Sequence, residues 1–127
     1  MAKQQIVTDA AFTPRFGYSQ GIVANGFVFT SGFGPHDPAT GELAGDSIEE
    51  QTVATLRNVE AVLATQGLDL SDVVKATVHL QDPRADFAGF DDTYRSMMPE
   101  PLPVRTTVGS VLSGIKVEID VVAALRD

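Results

Sequence analysis

Cysteine is absent from this sequence. Disulfides, thiolate catalysis and cysteine-ligated zinc or iron–sulfur centres are therefore excluded. Basic residues are scarce, with 9 Lys and Arg against 17 Asp and Glu, a formal net charge of −8. The averaged field repels phosphate backbones and anionic membranes, so neither nucleic acid nor a membrane is an expected partner. No run approaches the roughly 18 apolar residues of a membrane span, and Met1 to Gln5 leads into no apolar signal segment, so the expected compartment is the cytoplasm. The two histidines, His36 and His79, have no helical i, i+4 partner, and the sequence predicts no metal site. The glycine-rich stretch Gly32 to Gly45 lacks both Gly-x-Gly-x-x-Gly and a P-loop Gly-Lys-Ser/Thr, which leaves nucleotide binding without specific support. Thr30-Ser31-Gly32-Phe33-Gly34 lacks the order of a serine-hydrolase nucleophile elbow.

What is present describes one folded unit. A chain of 127 residues suits a single domain spanning 1–127, and 43% hydrophobic with 20% charged residues excludes the composition of disorder. Asn25-Gly26 between Gly21 and Ser31 predicts a two-strand hairpin, because both turn residues accept positive φ. Ser47 and Glu50 form a capping box ahead of Thr52, Leu56, Val59 and Leu63, predicting a helix over 47–66 that Gly67 stops. In the run 73–80, Val74, Ala76, Val78 and Leu80 share one face of a predicted strand. Phe87, Phe90, Tyr94 and Met97 predict a second helix over 86–98, with Pro83 near its start and Pro99 to Pro103 beyond its end. Two alternating segments, 104–108 and 115–121, predict closing strands. The order gives an α+β layer with two helices on one sheet face. The other face lacks cover, which predicts a closed homo-oligomer.

Arg105 and Glu118 are the first candidates for chemistry. A hairpin turning at 111 and 112 would set them opposite each other on one face. A guanidinium held after Pro103 offers a rigid fork for a carboxylate, and a nearby glutamate can orient water. A plain cross-strand ion pair on a solvated face, worth about 0.2–1 kcal/mol, fits the same spacing. Tyr18, in the loop entering the hairpin, offers either a ligand-binding hydroxyl or an edge-packing ring. The strand end Ser31-Gly32 allows close backbone approach to an anion, and turn geometry explains it equally well. Asp82, Asp86, Asp91 and Asp92 surround the second helix, where charge at a helix N-terminus accounts for the first two.

Taken together, several segments resemble the reactive-intermediate deaminase (RidA/YjgF-like) family: Val28 to Gly32 with Pro35 and Thr40-Gly41, Leu56 to Val59, Leu68 through Asp72 to Val78, Phe87 with Thr93-Tyr94, Pro103-Val104-Arg105, and Lys116 to Asp120. The resemblance spans nearly the whole chain. It implies a chorismate-mutase-like protomer with a mixed sheet and two helices on one face, assembled as a homotrimer with its pocket between subunits. It implies hydrolysis of enamines and imines such as 2-aminoacrylate to 2-keto acids and ammonia, without a cofactor. By position, Arg105 matches the arginine that grips the substrate carboxylate and Glu118 the glutamate that positions water. Tyr18, Ser31 and Gly32 match residues lining the same pocket. Phe33, Thr107 and Asp91 stand where the family usually has Gln, Cys and Asn, and they bear on substrate range. A trimeric, non-catalytic binder of small carboxylates, or a regulatory protein, would use the same arginine without turnover.

Overall fold

A computed structural model describes residues 2–127. It contains β1 (Gln4–Ile6), β2 (Gly21–Ala24), β3 (Phe27–Thr30), α1 (Ile48–Ala64), β4 (Val73–Leu80), α2 (Pro83–Met97), β5 (Val104–Gly109) and β6 (Val117–Ala124). The strands form one mixed sheet of six in the order β1-β2-β3-β6-β4-β5, and the two helices make the fold α+β.

Local chemistry accounts for each element. Asn25 and Gly26 turn the β2–β3 hairpin at φ 51° and 83°, the left-handed values that this two-residue turn requires. Ser47 caps α1: its hydroxyl accepts from Glu50 N, while Glu50 Oε1 accepts from Ser47 N, both at 3.1 Å. Leu56, Val59, Val62 and Leu63 are fully buried along one side of the helix, the 3.6-residue stripe the sequence predicts. The helix is shorter than the expected 47–66, because Ser47 and Thr65 serve as its caps. The second helix begins three residues earlier than expected, with Asp82 as N-cap accepting from Ala85 N and Pro83 in the first turn, where a missing N–H costs nothing. The short β1, paired with β2, carries no alternating signal and was not expected.

One expectation about the sheet is overturned. The two closing strands do not form a hairpin with each other. β5 runs parallel to β4, with Ala76 beside Arg105, whereas β6 lies antiparallel between β3 and β4, with His79 beside Glu118. The α2 crossover supplies the connection that a parallel β4–β5 pair needs. Val117, Ile119, Val121 and Ala123 of β6 are buried against α1, beside Ala76, Val78 and Leu80 of β4. A register shift between Val73 and Lys75 breaks the predicted alternation, so Val73 is buried and Val74 exposed. The opposite, open face carries Lys75, Thr77 and His79 of β4 with Glu118 and Asp120 of β6, none of them fully buried.

Candidate functional site

Arg105 lies on β5, at the edge of the sheet, and its side chain turns toward α2. Nη1 donates to Asp91 Oδ1 at 2.8 Å. The guanidinium carbon sits 5.7, 5.3 and 4.8 Å from the ring centroids of Phe87, Phe90 and Tyr94, within the range of cation–π attraction. Helical spacing of Phe87, Phe90, Asp91 and Tyr94 is what puts three rings and one carboxylate around a single side chain. Burial raises the Tyr94 phenol, with Asp91 adding to the rise and Arg105 opposing it. Thr107, two residues further along β5, points the same way, and its buried Oγ1 has no hydrogen-bond partner among the described residues; nor does Tyr94 Oη.

Glu118 belongs to a second cluster. Its carboxylate lies over Gly32, where a Cβ would come within 2.7 Å of Glu118 Oε2. Position 32 is glycine because the glutamate occupies the space a side chain would need. Ser31, next in the chain, donates from N and Oγ to Gln20 O at 3.0 and 3.4 Å. That contact holds the segment containing the exposed Tyr18 beside the end of β3. Gly32 and Glu118 thus meet on one side of the sheet with Ser31 adjacent and Tyr18 in the segment tied to it, while Arg105, Asp91 and Thr107 gather on the other.

Two placements correct the sequence reading. Arg105 and Glu118 are not cross-strand partners: β4 stands between their strands, and Ala76 and His79, the β4 residues beside them, point to opposite faces. Within one chain they are therefore separated by two strand spacings, roughly 10 Å, and by the sheet itself. Phe33 turns its side chain away from the Glu118 cluster. It is 3% exposed, its ring belongs to the core, and its backbone pairs with Ile119. Asp91, which helix N-terminal charge leaves unexplained, is paired with Arg105.

Other groups complete the picture. The run Gly17-Tyr18-Ser19-Gln20-Gly21 has the spacing of a nucleophile elbow, yet it leads into β2 rather than from a strand into a helix, and Ser19 Oγ accepts from Gln5 Nε2. His79 Nδ1 lies 2.7 Å from Ser110 Oγ. Asp120, near His79 and Lys75, is held above the usual carboxylate range by burial, against the pull of those two side chains. A folded carboxyl that keeps its proton longer than the unfolded chain favours folding at low pH, and this advantage is lost as pH rises from the ordinary value of 3.8 through the folded one. Asp120→Asn is therefore expected to gain stability relative to wild type between pH 3 and pH 7; urea unfolding at both pH values checks it, and a difference that fails to grow with pH contradicts it. No group of three potential metal-ligating side chains occurs among the described residues, and no helix is long and apolar enough to cross a membrane. Two clefts, of about 300 and 240 Å3, are lined by Asp92, Arg95 and Glu100 and by His36, Arg57 and Asn58 respectively. Neither includes Arg105 or Glu118.

Comparison with known proteins follows this geometry. The family described as endoribonuclease L-PSP matches residues 8–125. A RutC family protein of Pyrococcus abyssi is 42% identical over 108 residues, covering 85% of this chain and 84% of that protein. Reactive Intermediate Deaminase A of Arabidopsis thaliana, a chloroplastic protein, is 38% identical over 125 residues, covering 97% of this chain and 66% of its own. The solved YjgF gene product of E. coli superposes with a TM-score of 0.88 at 32% identity, covering 97% of this chain and 99% of that one. Sequence and fold agree over nearly the full length, and the chain belongs to the endoribonuclease L-PSP family, which includes the RidA and YjgF proteins.

Proposed function

We propose that this protein is an enamine and imine deaminase acting on small 2-imino acids, and that it works as a homotrimer whose site joins two copies. The observation that carries the reading is the division of the candidate residues between two faces. Arg105 with Thr107 and Asp91 lies at the helix side of the β5 edge, while Glu118 with Gly32 lies on the open face. A neighbouring copy that sets its Glu118 cluster against this chain's Arg105 brings both to one substrate. The apolar surface left by a single chain supports such a contact: Phe27, Phe29 and Val108 are exposed and Val104 is 68% exposed.

The chemistry then follows from the side chains. Arg105 Nε and Nη2 have no hydrogen-bond partner among the described residues, and they offer two parallel donors to a substrate carboxylate. Fixing the carboxylate places the C=N carbon at a defined distance from water held by Glu118 of the neighbouring copy. An enamine first takes a proton at carbon to become the iminium, CH3–C(=NH2+)–COO− in the smallest case. Water adds at C2 and loses a proton toward the glutamate, and the nitrogen of the carbinolamine is protonated. Collapse to the carbonyl expels ammonia, so iminium acid and water give pyruvate and ammonium in balance. The name of the plant relative is consistent with this reaction. The ribonuclease in the family description has less support here, because a net charge of −8 gives no general attraction for RNA.

Loss of enzymatically generated 2-aminoacrylate, followed against a protein-free control, tests the activity. The shared site has its own test. Arg105→Ala and Glu118→Gln are each expected to be inactive. Unfolding and refolding them together in equal amounts should restore about one quarter of wild-type activity, the fraction of sites in a random trimer that draw both native residues from different copies. Absence of any recovery would contradict a site built from two copies, and absence of 2-aminoacrylate turnover by wild type would leave carboxylate binding without catalysis as the function.

A further inference from the structure

Carboxylate binding alone does not account for Asp91. A guanidinium whose task is to hold one anion is weakened by a second anion beside it, yet Asp91 Oδ1 accepts from Arg105 Nη1 at 2.8 Å, with the two side chains only 25% and 21% exposed. The pair is neutral as a unit. It sits beneath three aromatic rings, which limit water and make any unmatched charge more costly than it would be at an open surface.

The free valences of the pair are complementary. Arg105 presents unused donors at Nε and Nη2, and Asp91 Oδ2 is an unused acceptor among the described residues. Flanking them, Tyr94 Oη and Thr107 Oγ1 are buried without partners. Thr52 and Thr55 on α1 carry equally unpartnered buried hydroxyls, so it is the free valences of the ion pair itself that a polar ligand would complete. A ligand with a carboxylate alone would add a net charge of −1 beside the neutral pair. One carrying a carboxylate next to a protonated nitrogen adds no net charge, pairing its anion with Arg105 and its N–H donors with Asp91.

We infer that the Arg105–Asp91 pair selects zwitterionic ligands, with a carboxylate beside a cationic nitrogen, over the matching 2-oxo acids. The inference rests on the proposed role of Arg105 as receiver of the substrate carboxylate, and it adds a charge requirement at C2. The iminium form of the substrate meets that requirement. The oxo acid product has lost the cation, so hydrolysis itself weakens the hold on the product and favours its release.

Two stable probes of equal carbon skeleton, 2-aminobutanoate and 2-oxobutanoate, separate the effects by calorimetry on the folded full chain. Wild type is expected to bind the amino acid at least about tenfold more tightly than the oxo acid, and Asp91→Asn, of the same shape without the charge, should bring that ratio to one or below. In steady-state assays the same substitution should lower the inhibition constant of 2-oxobutanoate by about tenfold, a readout that survives if binding heats are small. Arg105→Ala should lose both ligands. A wild-type preference for the oxo acid, or a ratio unchanged in Asp91→Asn while Arg105→Ala loses both ligands, overturns the charge selection alone. Unchanged binding in Arg105→Ala overturns the carboxylate-binding role and the inference with it.

Discussion

If Arg105 receives the substrate carboxylate as proposed, Arg105→Ala is expected to lower kcat/KM for 2-aminoacrylate by at least about 100-fold, the loss of two charge-assisted hydrogen bonds, each worth about 1.5–3 kcal/mol. The truncation also strands Asp91. With its partner gone, that carboxylate remains in a part-buried pocket, where it repels the incoming substrate anion. The measured loss would therefore combine a lost attraction and a new repulsion. Comparing Arg105→Ala with the double variant Arg105→Ala/Asp91→Ala separates them, because residues sharing one ion pair are not additive. Arg105→Lys keeps the charge but not the planar fork, and should recover only part of the activity. A loss of less than about fivefold in Arg105→Ala would remove this side chain from the substrate contact.

The second large effect concerns stability. Phe90 is fully buried on the inner face of α2, with ring centroids of Phe87 and Tyr94 at 6.4 and 5.4 Å and the Arg105 guanidinium over its own ring. Phe90→Ala deletes a ring from a close-packed interior and is expected to cost about 3–5 kcal/mol, part transfer energy and part cavity. Chemical denaturation at one fixed protein concentration measures it, since assembly would otherwise change the apparent stability. A loss below about 1 kcal/mol would mean that α2 does not depend on this contact to hold its place on the sheet. Because the same ring supports Arg105, the variant should also raise KM where folded protein survives. Core packing and the setting of Arg105 meet at this one residue.

Legibility in the sequence followed the range of the interaction. The helices could be read because their signals are local: Ser47 and Glu50 close a hydrogen-bonded box within four residues, and Leu56, Val59 and Leu63 repeat along one buried stripe. The hairpin at Asn25-Gly26 was equally local. Strand partners were not readable, since alternation in β6 states that one face is buried but not which strand lies alongside. A hairpin with β5 and insertion between β3 and β4 give the same pattern in that segment. The faces of β5 are unreadable for a different reason. Val104 and Val108 look like core residues, yet they are exposed, while Arg105 and Thr107 turn toward the helix. An edge strand awaiting another copy can carry its apolar side outward, and one chain's hydropathy does not reveal this. Family resemblance singled out Arg105 and Glu118 without pairing them, whereas the hairpin argument that joined them within one chain fails, because β4 lies between their strands. At Phe33, next to Gly32, alternation along the backbone sends the side chain away from Glu118 and into the core, a placement that the family comparison of single residues does not reveal.

The position of β6 bears on how the protein is made. The strand at the centre of the sheet is the one a ribosome delivers after all the others. Until residues 117–124 emerge, β3 and β4 each present an unpaired edge toward the gap that β6 fills. Nascent chains stalled before this segment hold two incomplete half-sheets and exposed backbone donors and acceptors, a state prone to pairing with other chains. Completion of the sheet is thereby tied to synthesis of the chain through Ala124.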